Sequence, residues 1–527
     1  MRHSPASITR LASRTAVLCA LLAQGCLLGP SYKRPEMPSP ATWAEGAGAP
    51  VQPGGAATAS SQAPQPSWWL SFGDPELAAL VERAVQATPK VREAAARVRE
   101  ARAMRTIAGA DLWPKLDLSG SYTDSRISEH GFLQGFGTPS NNGAPSLPGA
   151  IIPGQSIDLY QTGFDAQWEI DLFGHVRRSA EAASAQQQAA EAGYRETLLS
   201  LAAETAREVI ELRTTDTRLA VAQSTVAAQS DTLDVVRQRY AAGISNALEM
   251  ARAEARLASV QASVPALRSR RSGTLRRLEV LVAAPTGSLD KEFSSAHEIP
   301  GTPRFVDAGL PSELLLRRPD VGRAERELAA ATARIGVARA ELLPRFSLTG
   351  SFGFQSQETG NLFTSDSRFW LIGPGMRWPI FDAGRLLANV EVQNARTEQA
   401  AARYENAVRS ALADVETAMS ALEGERGRTE ALERAAAAER RGTEVAHELF
   451  TGGVVEFLEV LDAERSLYRA EEELAISRGL AAADAVALYK ALAGGWPTPD
   501  VAVPTKAGAP DQPEGNVTKA GASVPTK

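Results

Sequence analysis

Apolar residues recur at every seventh position along two long stretches of this 527-residue chain. The spacing holds over residues 198–240 and again over residues 408–450. A heptad repeat of this length predicts a helix that supercoils in the left-handed sense against a neighbouring helix. The first helix is expected to run from His175 to Ala241, which corresponds to on the order of 100 Å at the α-helical rise.

Four shorter segments alternate between apolar and polar residues, and this alternation predicts β-strands. They lie near residues 116–122, 164–170, 346–354 and 369–379. Each is expected to span about 9–11 residues, the length at which a tilted strand crosses a bilayer. One face of each strand is apolar or aromatic and the other is polar, as in outer-membrane barrels.

Four strands are too few to close a barrel, and an open sheet edge is not tolerated in lipid. Closure therefore requires several chains. Three chains would supply twelve strands, an even number wide enough for a pore, although the spacing does not itself specify three. A soluble coiled-coil protein with small sheets is the alternative, but it leaves the narrow zone of strands and tryptophans unexplained.

The chain contains an internal sequence repeat with two copies. Residues 88–94 align with residues 318–324 at an offset of 230, and from Trp168 and Trp378 onward the offset is 210. The first copy therefore has 20 extra residues. We assign them to a Gly/Pro/Asn-rich loop near residues 125–156, because surface loops tolerate insertion.

Each copy has the same predicted order of elements. A helical stretch over 75–112 or 311–343 ends at a proline, two strands follow, and the long helix comes next. A turn at Ala242-Gly243 or at Gly452-Gly453 then supplies a left-handed helix end. A returning helix is expected to reach about residue 283 in the first copy and residue 493 in the second.

The amino terminus predicts export from the cytoplasm. Three arginines precede a short apolar run over residues 16–23, as in a secretory signal peptide. Gly25-Cys26 after this run resembles a bacterial lipobox, in which Cys26 becomes the acylated first residue. An ordinary signal peptide with an incidental cysteine is the alternative. The predicted division is a signal peptide over 1–25, a lipidated extended leader over 26–74, repeat one over 75–285, a linker over 286–310, repeat two over 311–496 and a disordered tail over 497–527.

Composition excludes several classes of function. With 62 acidic and 56 basic residues, the chain has no basic surplus that would indicate nucleic-acid binding. Its two cysteines, Cys19 and Cys26, exclude a disulfide framework and a cysteine-based zinc site. The five histidines lack metal-ligand spacing, and no nucleophile, phosphate-loop or dinucleotide motif is present. We therefore expect no enzyme, no metal and no cofactor other than a covalent lipid on Cys26.

Several motifs together resemble one family. They are Gly29-Pro30-Ser31-Tyr32-Lys33-Arg34-Pro35, Trp68-Trp69, Arg317-Arg318-Pro319-Asp320, Trp378-Pro379-Ile380-Phe381-Asp382-Ala383-Gly384 and Leu461-Asp462-Ala463-Glu464-Arg465-Ser466-Leu467-Tyr468. Over residues 26–495 the chain resembles the TolC-type outer-membrane efflux proteins, in the OprM/NodT lipoprotein branch of the tripartite RND-type systems.

The resemblance implies an α+β membrane protein that assembles as a homotrimer. Three chains would share one twelve-stranded β-barrel, continuous with a long α-helical coiled-coil tunnel in the periplasm of a Gram-negative bacterium. It implies a passive exit duct in contact with outer-membrane lipid. Its expected partners are a periplasmic membrane-fusion adaptor and an inner-membrane RND-type pump, which supply cargo and energy.

The resemblance also assigns a periplasmic gate to Leu458, Asp462 and Arg465. Leu458 and Asp462 are four residues apart and share one helix face. Three copies of Asp462 around a narrow axis would repel one another and retain cations, and Arg465 could neutralise them. Arg252, the repeat-one counterpart of Asp462, is a hypothetical closed-state latch. The alternative interpretation is that Asp462 and Arg252 are solvated charges on a helix face.

The glycine turns are expected to form hairpin tips, and the resemblance implies that Gly243, Gly452 and Gly453 contact the adaptor. Three functions are compatible with these features: an exit duct for small molecules, a duct of the same fold for type I protein secretion, and a non-channel lipoprotein scaffold. The lipobox and the Lys33-Arg34-Pro35 leader favour the first.

Overall fold

The computed structural model describes residues 27–38, 40, 42–44, 67–126, 156–294, 298–303 and 311–493. The signal segment with Cys26, most of the predicted loop near 125–156, and the predicted tail lie outside the described residues. Among the helices that the structure describes, none combines the length and the apolarity needed to cross a membrane.

Both copies have the predicted order of elements. A short 3-10 helix, Trp68–Phe72, precedes the first copy. The first copy contains α1 (Pro75–Ala87), α2 (Pro89–Ala110), β1 (Lys115–Arg126), β2 (Ser156–Ile170), α3 (His175–Ala241) and α4 (Ala247–Leu281), followed by the short helix α5 (Leu289–Glu292). The second copy contains α6 (Pro311–Arg317), α7 (Pro319–Ala340), β3 (Arg345–Ser356), β4 (Arg368–Arg377), α8 (Arg385–Thr451) and α9 (Phe457–Ala491).

The prediction of one continuous helix before each strand pair is wrong. Thr88 and Arg318 have extended backbones, with ψ of 137° and 121°, and they separate α1 from α2 and α6 from α7. Each precedes a proline, whose ring disfavours helical geometry in the residue before it. The two breaks are structurally equivalent in the two copies.

In each copy, the side chain at the break also donates a hydrogen bond to the end of the returning helix. Thr88 Oγ1 donates to the Leu281 carbonyl at 2.5 Å, and Arg318 Nη1 donates to the Ala491 carbonyl at 3.1 Å. Leu281 and Ala491 are 210 positions apart, so the repeat preserves this contact with different chemistry. The last carbonyls of α4 and α9, which lack partners within their own helices, are thereby satisfied.

The four strands form one antiparallel sheet in the order β1-β2-β3-β4. They contain 12, 15, 12 and 10 residues, so three of them exceed the predicted 9–11. The central pairing of β2 with β3 joins the two copies. Among the described residues of one chain, β1 and β4 each have a neighbouring strand on one side alone, and both outer edges therefore present backbone groups that no described strand pairs.

The long helices α3 and α8 each contain 67 residues, as the heptads predicted for α3. Heptad positions such as Leu198, Leu212, Val408 and Val415 are buried. The largest core cluster lies midway along the helices, where the 3-10 helix and α1 pack against α3 and α9. There Trp68 stacks on Tyr489, with ring centroids 5.4 Å apart.

The helices α3 and α9 cross closely at Gly479. A Cβ atom built at this position would lie 2.1 Å from Thr214 Oγ1 and 2.8 Å from Thr214 Cγ2. Thr214 is itself buried and donates to the Ile210 carbonyl at 2.8 Å, so it cannot easily turn away. The small residue therefore sets the separation between the two helices.

We predict that Gly479→Ala destabilises the protein by about 1–3 kcal/mol, because the added methyl overpacks this crossing. The measurement is the midpoint of heat dissociation of the purified protein. Gly442→Ala is the matched control: no atom lies within 4 Å of its Cβ position, and alanine there should stabilise α8 by up to about 1 kcal/mol. Thr214→Ala added to Gly479→Ala should recover part of the loss, and equal midpoints for Gly479→Ala and Gly442→Ala would contradict the argument.

Candidate channel wall and gate

One face of the sheet is apolar in all four strands. The register places Leu118, Phe164, Phe352 and Trp370 opposite one another in a single row. These side chains are 72%, 49%, 52% and 75% exposed in the single chain. A contiguous apolar patch of this size is rare on a water-soluble monomer. This face therefore requires contact with an apolar medium or with a protein partner.

The opposite face is mainly polar. Asp165 lies near its middle and accepts hydrogen bonds from Ser119 Oγ at 2.7 Å and Ser351 Oγ at 2.8 Å. Asp117 is the direct cross-strand neighbour of Asp165. Two carboxylates at one level of a sheet require a hydrated environment, because burying unpaired charge is costly. A sheet with one apolar and one polar face separates lipid from water.

A tryptophan ties the base of the strands to the preceding helical segment in each copy. Trp168 Nε1 donates to the Leu112 carbonyl at 3.0 Å, and Trp378 Nε1 donates to the Leu342 carbonyl at 3.1 Å. Both indoles are partly exposed, with an apolar body and a polar group that has a partner. Such residues are enriched where a membrane protein passes from lipid to water.

The seam between the two copies continues below the sheet. Gly336 on α7 faces Arg178 on α3, and a Cβ atom built at Gly336 would lie 2.8 Å from Arg178 Cγ. The repeat offsets convert this pair into Thr106 on α2 and Ala388 on α8. Both are exposed and lie below the two outer strands. The same packing is therefore available between two copies of the chain.

Arg178 also holds the leader, a role that sequence reasoning missed. This buried side chain donates to the carbonyls of Leu28 at 3.0 Å and Gly29 at 3.2 Å, and it pairs with Glu181 at 2.8 Å. Gly29 has φ of +84° and approaches the backbone of Gly336, where a Cβ atom would lie 2.5 Å from the Gly336 Cα. In the sequence, Gly29 of the leader motif is the residue that could have indicated this close contact.

The next leader residues bind the second copy. The Tyr32 hydroxyl donates to Glu325 at 3.1 Å, and Arg34 donates to the Tyr404 hydroxyl at 3.3 Å and to the Leu315 carbonyl at 3.2 Å. Burial, reinforced by the charge of Glu325, raises the pKa of Tyr32 well above its usual range. Tyr32 is therefore a neutral hydrogen-bond donor. The leader is an extended segment that packs on α7 and α8.

Both long helices end at a left-handed glycine. Gly243 and Gly453 each have φ of +71°. The following amides, of Ile244 and Val454, donate back to carbonyls near the helix end at 2.9 and 2.8 Å, as in a Schellman motif. Gly452 has a right-handed backbone with φ of −73°, so it is Gly453 alone that supplies the left-handed end predicted for this glycine pair.

The predicted gate residues lie close to this tip. Leu458 and Asp462 are exposed on the first turns of α9, and Asp462 pairs with Arg465 at 3.0 Å. Both members of the pair are well exposed, so it contributes little to folding stability. Arg252 is exposed on α4, and within the described part of a single chain no ion pair joins it to an aspartate.

The family of the chain follows from comparison with known proteins. Residues 80–284 and 310–494 match the outer membrane efflux protein family. The chain belongs to this family. Nodulation protein T of Rhizobium leguminosarum bv. trifolii is 29% identical, over 88% of this chain and 94% of that protein. Outer membrane protein OprJ of Pseudomonas aeruginosa is 31% identical, over 92% and 95%.

Solved channels have the same fold. The outer-membrane channel OprN superposes with a TM-score of 0.78 at 32% identity, over 89% of this chain and all of that one. The open state of the MtrE channel of Neisseria gonorrhoeae gives 0.73 at 29% identity, over 89% and 98%. The predicted fold is thus confirmed: a trimer with a twelve-stranded barrel and a helical tunnel, in an outer-membrane efflux channel. The apolar face of the sheet meets lipid, and the polar face lines the lumen.

Proposed function

We propose that this efflux protein is the passive exit duct of a tripartite pump for small molecules. The observation that carries the proposal is the continuity of β2 into α3: the wall of the pore passes directly into a 67-residue helix. In this proposal, the energy and the choice of cargo come from a pump elsewhere in the assembly.

The named cargoes of relatives support this division of labour. Relatives include a cation efflux protein of Escherichia coli, a pyoverdine export protein and a solvent efflux protein of Pseudomonas putida. These chemical classes share little, while the chains are all about 30% identical to this one. A duct lined by general polar side chains fits such diversity better than a selective site does.

The hairpin tips are the proposed docking points for a periplasmic adaptor, and through it an RND-type pump. Support comes from Ile244 and Val454, which are exposed beside Gly243, Gly452 and Gly453. Exposed apolar side chains on tight, rigid turns favour contact with a protein partner.

We predict that Ile244→Asp and Val454→Asp abolish co-purification of the adaptor, because each places a charge on the apolar tip. Undiminished co-purification would refute the docking.

The proposed gate uses the first turns of α9. Leu458 and Asp462 from three chains would approach one axis, where like charges repel and attract cations. Arg465, already paired with Asp462, would limit that repulsion. Arg252 lacks an ion-pair partner among the described residues of one chain and is the proposed latch to an aspartate of another.

We predict that Asp462→Ala changes single-channel conductance or cation preference in planar bilayers, because it removes three charges from the narrowest ring. Asp366→Ala, in the turn between β3 and β4, removes a carboxylate beyond the sheet, far from the helical tips. It should leave the conductance and the cation preference unchanged. Arg252→Ala should raise the resting conductance. A conducting protein indifferent to Asp462→Ala refutes the gate assignment, and absence of conductance in every form favours the scaffold over the duct.

A covalent lipid on Cys26 is the last element of the proposal. Leu28 donates its amide to the Phe173 carbonyl at 3.4 Å, at the junction of β2 and α3. The leader therefore begins where the lipid-facing strands give way to helices, a position suited to an acyl chain in the inner leaflet. Acylation and docking of the leader are separate events and can be tested separately.

We predict that palmitate labelling is lost in Cys26→Ser and retained in Arg178→Ala. Arg178→Ala should instead speed chymotrypsin cleavage near Tyr32 by tenfold or more, since it removes the donors to Leu28 and Gly29. Glu36→Ala, at an exposed leader position that is not next to the cleaved bond, is the matched control. Palmitate labelling of Cys26→Ser would refute the acylation, and equal cleavage of Arg178→Ala and Glu36→Ala would refute the role of Arg178 in holding the leader.

A further inference from the structure

A buried carboxylate fastens four helices together just behind the proposed gate. Glu464 on α9 is 5% exposed. It accepts hydrogen bonds from Gln229 Nε2 at 2.7 Å and Thr232 Oγ1 at 2.8 Å, both on α3. His447 Nε2 on α8 lies 2.9 Å from Glu464 Oε1, the oxygen that also accepts from Thr232. Because Glu464 follows Asp462 by two residues, this junction determines which way the gate-bearing face of α9 points.

The fourth helix contributes a cation. Arg256 on α4 lies over the Tyr468 ring, 5.8 Å from its centroid, and within the field of Glu464. Its Nε and Nη2 atoms are buried without hydrogen-bond partners in the described residues. Desolvation lowers the pKa of Arg256, although Glu464 opposes this, so it stays charged at any physiological pH. Arg465 is a further charged group close enough to act on Arg256.

The repeat shows what is unusual at this position. An offset of 210 relates His447 to Arg237 and Glu464 to Glu254. In repeat one, Arg237 Nη2 lies 3.7 Å from Glu254 Oε1, and both side chains are about half exposed. The same pair of positions thus holds a permanent cation at the surface in one copy and an imidazole against a buried carboxylate in the other.

We propose that His447 and Glu464 form a proton-sensitive clamp that positions α9 against α3 and α8. Histidine changes charge between about pH 5 and 8. Protonation of the ring adds a charge–charge attraction to the buried Glu464 carboxylate 2.9 Å away, so the clamp is tighter with a protonated ring than with a neutral one. Its effect on channel opening rests on the proposed gate; the clamp itself does not.

The test is hydrogen exchange, measured by mass spectrometry on the intact purified trimer at pH 6 and pH 8 and corrected for the intrinsic pH dependence. The amides of residues 457–470 should lose about three- to tenfold of their protection at pH 8. His447→Arg, which copies repeat one, should stay protected at both values. His447→Gln, a neutral donor, should be weakly protected at both.

Arg237→His is the reciprocal control. It places a titratable ring at the half-exposed pair of repeat one, where solvent screens the charge, so residues 247–260 should change less than twofold between the two pH values. Unchanged protection of 457–470 in the wild type, or the same loss in His447→Arg, would overturn the clamp. Failure of Asp462→Ala to alter conductance would refute the gate and leave this exchange pattern intact.

Discussion

Unpaired backbone groups on the two outer strands are the constraint on which the rest of the structure depends. The N–H and C=O groups along β1 and β4 that face away from the sheet pair with no other strand in the part of the chain that the structure describes, and lipid offers them no partner. The apolar face keeps the sheet in lipid, so the edges are satisfied by strands of other copies. A closed barrel shared by several copies and a polar lumen follow from that requirement, and the related channels show that the copies number three.

Because of the internal repeat, one type of seam can close the barrel both within a chain and between chains. Within one chain, β2 pairs with β3, and Gly336 meets Arg178 below that seam. Between chains, we expect the edges β4 and β1 to repeat the arrangement, with Ala388 and Thr106 at the equivalent points. The same is true of the helix breaks, where Thr88 and Arg318 bind equivalent carbonyls through unlike side chains. Repetition preserves the geometry of a contact and leaves its chemistry free to diverge.

Periodicity predicted the elements that are long and regular. The heptads anticipated α3 to the residue, and alternation found all four strands, because packing on one face imposes a period. The breaks at Thr88 and Arg318 were missed, although the following prolines were visible. The roles of Arg178 and Glu464 were beyond reach, since their partners are about 150 and 235 residues away in sequence. A single charged residue carries no period from which such a contact can be inferred.

Closure between copies is most directly tested by a disulfide across the predicted seam. Thr106→Cys and Ala388→Cys are introduced together, and the membrane-assembled protein is oxidised and separated on a denaturing gel. Covalent dimers and trimers are expected from the double variant, and neither single variant should form them. A double variant that stays monomeric under oxidation, or that closes the disulfide within one chain, would contradict the account.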